Sequence, residues 1–182
     1  RVADRGFCVA MPQLFGTPGE APTPGYALRS IARTCISREF RLFSTRGASE
    51  VTRWCRALAR ELHKRCGGPG VGAIGMCLTG NFALAMMLDP ALIAPVLCQP
   101  SLPIGPLARQ RRALHISDAD LSDVQRRSAK ENFPILGLRF TGDVMCPKER
   151  FERLRECFGS RFEGIEIDSR PGNADGLPSW AH

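Results

Sequence analysis

The sequence contains no long uninterrupted apolar run, no Cys-x-x-Cys pair and only three histidines among its 182 residues. A transmembrane helix needs about 20 consecutive apolar residues, so no membrane span is predicted. The first residues do not resemble a signal peptide. With so few histidines and no paired cysteine spacing, the eight cysteines indicate neither a zinc site nor a disulfide framework. We therefore expect a reduced, cytoplasmic protein without a metal ion.

The formal charge of +7 comes from arginine, because lysine occurs only at positions 64, 130 and 148. The arginines are spread along the whole chain. Local clusters such as 109–112 and 126–127 lie in polar or helical stretches, without the interleaved aromatic residues that nucleic-acid binding would require. The composition thus predicts no nucleic-acid partner, whereas the positive field suits a small anionic substrate.

Apolar runs that alternate with helical periodicity predict an α/β domain with a mostly parallel sheet and helices on both faces. The chain has 43% hydrophobic residues, enough for one domain with a sizeable core. The predicted strands are 7–11, 71–76, 94–98, 134–140 and 162–167, and the predicted helices are 51–65, 78–88, 118–131 and 147–158. Segments 26–35 and 38–43 are predicted as a short helix and an edge strand.

The segment Gly75–Gly80 joins a predicted strand to a predicted buried helix and places Cys77 at its centre. This arrangement is typical of a nucleophile elbow, a strained turn that exposes the central side chain above the N-terminal end of the following helix. The free N–H groups of that helix favour negative charge. Cys77 is therefore the predicted nucleophile, although cysteine is also a common small core residue.

A cysteine nucleophile needs a base and a group that orients the base. Asp143 directly follows the strand 134–140, where the carboxyl ends of parallel strands bring functional groups together. It could alternatively cap the next helix. His182 follows the last strand and completes the order nucleophile, acid, histidine. The other candidates are His63, on the polar side of a helix, and His115, which lies between the irregular stretch 101–113 and the predicted helix 118–131.

Three stretches of the chain resemble the dienelactone hydrolase family of α/β-hydrolases. They are the segment 5–16 (RGFCVAMPQLFG), the elbow 75–80 (GMCLTG) and the acid loop 140–147 (FTGDVMCP). The resemblance implies a Cys-Asp-His triad of Cys77, Asp143 and His182, and an oxyanion hole that includes the backbone N–H of Leu78. It implies no metal or organic cofactor.

The chain departs from the family pattern at several points. Thr79 replaces the second elbow glycine, and a β-branched residue there is expected to crowd the turn. The segment 13–17 lacks the arginine with which family members bind the substrate carboxylate. The family's upstream strands and oxyanion loop would precede residue 1. Residues 1–182 are therefore expected to form one α/β-hydrolase domain that lacks its N-terminal strands and is truncated at both ends.

These observations predict a hydrolase of a small lactone or carboxylic ester that forms a thioester on Cys77. Two other functions stay open at this point. A non-catalytic α/β-hydrolase-like binding protein would explain Thr79 and the missing upstream parts. A redox-active thiol protein would explain the abundance of cysteine, but it lacks the expected Cys-x-x-Cys pair. The sequence does not set the oligomeric state.

Overall fold

Four parallel strands in sequential order form the sheet of this α/β protein. The structure, a computed structural model, describes residues 2–14, 23, 25, 50–102 and 105–177. Its strands are β1 (Val71–Met76), β2 (Leu92–Cys98), β3 (Ile135–Phe140) and β4 (Phe162–Ile167), and its helices are α1 (Glu50–Cys66), α2 (Gly80–Met86), α3 (Ala108–Arg112), α4 (Asp118–Glu131) and α5 (Lys148–Phe158). The predicted alternation of strands with helices and the parallel direction of the strands are confirmed, except for the predicted strand 7–11.

Local signals set the bounds of the longer helices. Helix α4 begins after Ser117, whose hydroxyl accepts a hydrogen bond from the N–H of Asp120 at 3.0 Å. It ends at Asn132, which adopts φ 50°, a conformation that asparagine tolerates. Helix α1 ends where the N–H of Gly67 bonds the carbonyl of His63. These ends match the predicted ones closely because capping depends on a few adjacent residues.

One face of the sheet carries the main hydrophobic core. The register pairs Gly75 with Leu97, Leu97 with Gly137, and Gly137 with Gly164, so these residues share a face. Helices α2, α4 and α5 pack on that face and bury side chains such as Leu84, Val124 and Phe151. Parallel β-strands need such crossover helices, which cover the sheet.

The opposite face is open along part of its length. Ile74, Met76 and Ile165 lie on that face and are exposed. The sequence predicts helices on both faces, but within the described ranges the core is built on one. Parallel sheets are normally covered on both sides, so this apolar surface is unusual for the fold class.

The predicted buried strand 7–11 is wrong. This segment forms no strand, and Phe7, Val9 and Met11 are exposed. Its apolar side chains satisfied the sequence criterion, but a strand also needs a hydrogen-bonded neighbour. In the described sheet, β1 is the edge strand and pairs only with β2.

Cys8 and Cys66 form a disulfide, which corrects the expectation that the cysteines are unpaired. Their Cα atoms lie 6.4 Å apart, within the usual range. The bond ties the N-terminal segment to the end of α1. Spacing in the sequence could not reveal it, because 58 residues separate the two cysteines and only the fold brings them together.

Two predicted elements lie outside the described residues: the helix 26–35 and the strand 38–43. No helix within the described ranges combines the length and apolar character needed to cross a bilayer. In the same ranges, no cluster of three His, Cys, Asp or Glu side chains is arranged to hold a metal ion.

Candidate functional site

Cys77 occupies a sharp turn between β1 and α2 and adopts φ 52°, in the left-handed region. A non-glycine residue pays about 1–2 kcal/mol for this conformation, which persists only when the surrounding structure enforces it. Here two small neighbours, Gly75 and Gly80, allow the chain to pack tightly enough to hold Cys77 in this conformation. A Cβ on Gly75 would lie 2.3 Å from the carbonyl oxygen of Thr79, and one on Gly80 would lie 2.5 Å from Cα of Pro100. Strand β1 and helix α2 therefore pass each other closely at this turn.

Thr79 closes the turn, contrary to the expectation that it crowds it. Its Oγ1 accepts a hydrogen bond from the N–H of Met76 at 3.0 Å and donates one to the carbonyl of Met76 at 2.9 Å. The hydroxyl thus satisfies both backbone groups of the residue before Cys77. A glycine at position 79 has no side chain and could not form these two hydrogen bonds.

Exposure distinguishes Cys77 from the other unpaired cysteines that the structure describes. Cys77 is exposed, whereas Cys55, Cys146 and Cys157 are buried and Cys98 is half-buried. Burial raises the pKa of the Cys55, Cys98 and Cys157 thiols, and it raises the pKa of Cys146 to about 12. Those thiols stay protonated at neutral pH and are unreactive. Cys77 alone among these combines a free thiol with access from solvent.

The loop that follows β2 lies directly against the elbow. The N–H of Ser101 donates to the carbonyl of Cys77 at 3.1 Å, and Oγ of Ser101 lies 3.6 Å from Sγ of Cys77. Asn81, in the first turn of α2, donates from its side chain to the carbonyl of Leu102. The loop 99–102 is therefore fixed to both sides of the turn at Cys77.

Asp143 lies in the loop after β3 and is 7% exposed. Its Oδ1 accepts a hydrogen bond from the N–H of Met145 at 2.8 Å, and its own N–H donates to the carbonyl of Phe140. The first of these is a contact within the loop and not the helix cap that the sequence also allowed, since α5 begins after Pro147 without a side-chain cap. Because β1 and β3 are parallel and flank β2, Cys77 and Asp143 follow strands that end at the same edge of the sheet.

Arg150 connects the loops at this edge, which we call the site loops: 77–80, 99–102 and 141–147. Its guanidinium is fully buried and donates from one nitrogen, Nη1, to the carbonyl of Pro100 at 2.6 Å and to that of Met145 at 3.3 Å. It also donates to the carbonyls of Gln110 and Ala113. Arg150 therefore links the loop that contacts Cys77 to the loop that contains Asp143.

The structure describes His63 and His115 but not His182. His182, the predicted base, lies outside the described residues, as does the end of the chain from position 178. His63 contacts the carbonyl of Gly68 at the end of α1. Burial, and secondarily the charge of Arg150, lowers the pKa of His115 to about 4. A neutral imidazole with so low a pKa is a weak general base at neutral pH.

The acid loop is also joined to the tail that leads toward His182. The hydroxyl of Thr141 donates to Asp168, and the N–H of Gly142 donates to the hydroxyl of Ser169 at 3.1 Å. Hydrogen bonds from Arg170 and Thr141 hold the pKa of Asp168 well below its usual range. The tail is thus held against the edge of the sheet on which Cys77 and Asp143 lie.

An apolar cleft of about 470 Å³ adjoins the elbow on the outer side of β1. The N-terminal segment 10–14 and helix α1 form one wall, and β1 with α2 forms the other. Met76 and Thr79, which lie close to Cys77 in the sequence, also line the cleft. The Cys8–Cys66 disulfide attaches the segment that forms the outer wall.

Sequence reasoning missed Ser101 and Arg150. A signal for Ser101 existed, because it follows a predicted parallel strand next to the one that leads to Cys77. Arg150 gave no signal, since it is one of many arginines in polar helical stretches. Its burial depends on the packing of four separate chain segments.

Leu78 is half-buried and lies in the single 3₁₀ turn, Cys77–Thr79, that follows β1. The first N–H groups of a helical turn have no partner within it and can bind an anion.

No protein-family model matches this chain, and neither does any curated protein or solved structure.

Proposed function

We propose that this chain hydrolyses a small lactone or carboxylic ester with Cys77 as the nucleophile. The observation that carries the proposal is the backbone of Cys77, which is left-handed, enclosed by Gly75 and Gly80, and leaves the thiol exposed. Strain of this kind concentrates at functional sites. A cysteine that served only as a packing residue would be buried, as Cys146 is.

In the proposed reaction the Cys77 thiolate attacks the substrate carbonyl and forms a tetrahedral intermediate. The backbone N–H of Leu78 donates to the developing oxyanion. Collapse of the intermediate breaks the C–O bond of the ester or lactone, the alcohol oxygen takes up the proton held by the base, and a thioester remains on Cys77. Water then attacks this thioester, releases the carboxylic acid and regenerates the thiol.

His182 is the proposed base, and Asp143 is proposed to orient it. Asp143 supports this role by its burial and by its position at the edge of the sheet where β1 ends. A carboxylate there holds the imidazole in the tautomer that accepts the thiol proton. The connection of the tail 168–177 to the acid loop is consistent with this arrangement.

The finer assignments belong to the same proposal. The fold would be that of the α/β-hydrolases, and the activity would be similar to that of dienelactone hydrolases. The substrate would be small and possess an ester or lactone carbonyl, and the net charge of +7 favours an anionic one. A cytoplasmic location, and the absence of a cofactor and of a nucleic-acid partner, stay predictions.

Hydrolysis of an activated aryl ester and of a dienelactone tests the proposal. We expect the Cys77→Ala variant to lose turnover by about 10³-fold or more, because it lacks the nucleophile. Cys157→Ala, which removes a buried thiol of α5, is the matched control and should retain wild-type turnover. Asp143→Asn should lower kcat by about 10²–10⁴-fold while leaving Cys77 in place.

The contrary outcomes are distinct. Turnover that survives in Cys77→Ala would refute the mechanism. No turnover in the wild-type chain, together with ordinary reactivity of its thiol toward iodoacetamide, would favour a non-catalytic binding protein. Mass spectrometry of the peptide that contains Cys77 separates these outcomes, since it measures the thiol directly.

A further inference from the structure

The loop 99–102 holds a second polar group against the nucleophile. This loop is anchored by contacts that do not involve the Ser101 side chain: the N–H of Ser101 donates to the carbonyl of Cys77, and Arg150 donates to the carbonyl of Pro100. Gly80 packs against Pro100 with no space for a Cβ. The position of the loop is therefore fixed without the serine hydroxyl.

The Ser101 hydroxyl is nevertheless buried beside the reactive atom. Ser101 is 1% exposed, and its Oγ lies 3.6 Å from Sγ of Cys77. Within the described residues, the Ser101 hydroxyl makes this one hydrogen bond. A serine hydroxyl both donates and accepts, whereas a thiolate only accepts and binds donors more strongly than a thiol does.

We propose that Ser101 is a positioning residue for the nucleophile: its Oγ–H donates a hydrogen bond to the Cys77 thiolate and stabilises the ionised sulfur. This inference rests on the proposed function, in which Cys77 reacts as a thiolate. On ionisation the S–H bond breaks and the proton passes to the base or to water, while Ser101 keeps its own proton. When sulfur attacks, its lone pair forms the C–S bond and the negative charge moves to the substrate oxygen.

The proposal predicts how the reactivity of Cys77 depends on pH. Alkylation by iodoacetamide requires the thiolate, forms a C–S bond and releases iodide, so its rate rises with pH as Cys77 ionises. A hydrogen bond to a charged group corresponds to a shift of about 1–2 pH units in the midpoint of such a curve. Ser101→Ala removes this bond and should move the midpoint upward by about one unit or more.

The experiment measures alkylation of the Cys77 peptide by mass spectrometry between pH 5 and 10. Ser128→Ala is the matched control, because Ser128 is fully buried in α4 and bonds Arg161. It should retain the wild-type midpoint, as should Ser101→Thr, which preserves the hydroxyl. Ser101→Gly, which also lacks the hydroxyl, should shift the midpoint in the same direction as Ser101→Ala.

A midpoint in Ser101→Ala within about 0.2 pH units of the wild-type value would overturn the proposal. A shift shared by Ser128→Ala would do so as well, because it would reflect general loosening. If Ser101→Ala does not fold, as judged by circular dichroism, Ser101→Gly gives the decisive comparison. Alkylation needs no ester turnover, so a shift without hydrolysis would refute the proposed function and still support the role of Ser101.

Discussion

The site loops and the N-terminal segment 7–14 are held in place by different means. The site loops are joined by buried polar contacts, most of them to backbone carbonyls, and Arg150 alone bonds four such groups. The N-terminal segment is exposed, belongs to no strand, and is attached by the Cys8–Cys66 disulfide. Both adjoin β1: residues 10–14 line a cleft together with β1, and the loop 77–80 follows directly after it.

The difference shows that apolar composition does not by itself produce a buried element. Phe7–Met11 is as apolar as β1, yet its side chains face solvent, because the described sheet does not pair with it. The site loops contain polar residues that are nevertheless buried, such as Ser101 and Asp143, and these have hydrogen-bond partners, whereas the buried Nε2 of Gln99 has none within the described residues. Order at this end of the sheet therefore follows hydrogen-bond satisfaction more than hydrophobicity.

The largest expected effect comes from Gly80→Ala. A Cβ there would lie 2.5 Å from the backbone of Pro100, so the elbow or the loop 99–102 must move. We expect a loss of about 3 kcal/mol in the free energy of unfolding, measured by urea denaturation, and loss of Cys77 reactivity. Gly72→Ala is the control within β1, because its nearest contact would be an ordinary 3.4 Å. Equal stability of the two variants would contradict the packing argument.

Removal of the disulfide should have the next largest effect. Cys8→Ser or Cys66→Ser should lower the free energy of unfolding by about 2–4 kcal/mol, because the cross-link restricts the unfolded chain. Reduction of the wild-type protein should have the same effect, whereas the variants should not respond to reductant. If the wild-type protein unfolds identically with and without reductant, the N-terminal segment is not held by this bond.

Acid should destabilise the region around Arg150 through His115. The pKa of His115 is lowered to about 4, so between pH 6.5 and 4 the unfolded chain binds a proton that the folded chain does not. Stability is thus complete above about pH 6.5 and should fall on the order of 2–3 kcal/mol by pH 4.5. Asparagine tolerates the φ of 55° at this position.

His115→Asn should therefore flatten the dependence of stability on pH within this window. Thermal unfolding followed at pH 4.5, 5.5 and 6.5 measures the effect. Lowered carboxylate pKa values contribute mainly below this range, as for Glu149 and Glu166, whose bonds to arginine hold them ionised. An unchanged slope in the variant would show that His115 is not kept neutral by the fold.

Met11→Ser should have the smallest effect. Met11 is 90% exposed, so its substitution should change the free energy of unfolding by less than about 0.5 kcal/mol. Leu97→Ala, in the buried face of β2, should cost about 2–5 kcal/mol and is the matched contrast. A large loss for Met11→Ser in the same denaturation experiment would mean that the N-terminal segment is buried in solution.

Much of the site follows from local sequence. The remaining part depends on contacts between residues that are distant in the sequence. The elbow was predictable because Gly75, Cys77 and Gly80 lie within six residues and act through their own backbone. The position of Asp143 was predictable from the parallel order of the strands. Ser101 and Arg150 were not identified, because their roles depend on contacts between segments 24 to 50 residues apart.

The sequence by itself determined four of the five described helices, the four parallel strands and the turn at Cys77, because periodicity, caps and small residues act over short distances; helix α3 lies in the stretch 101–113, which the sequence predicts as irregular. Tertiary structure alone decided that the segment 7–14 remains exposed, that Cys8 pairs with Cys66, and that Arg150 connects the site loops. Each of these depends on which distant groups become neighbours, and in particular on whether a backbone or charged group finds a hydrogen-bond partner when it is buried.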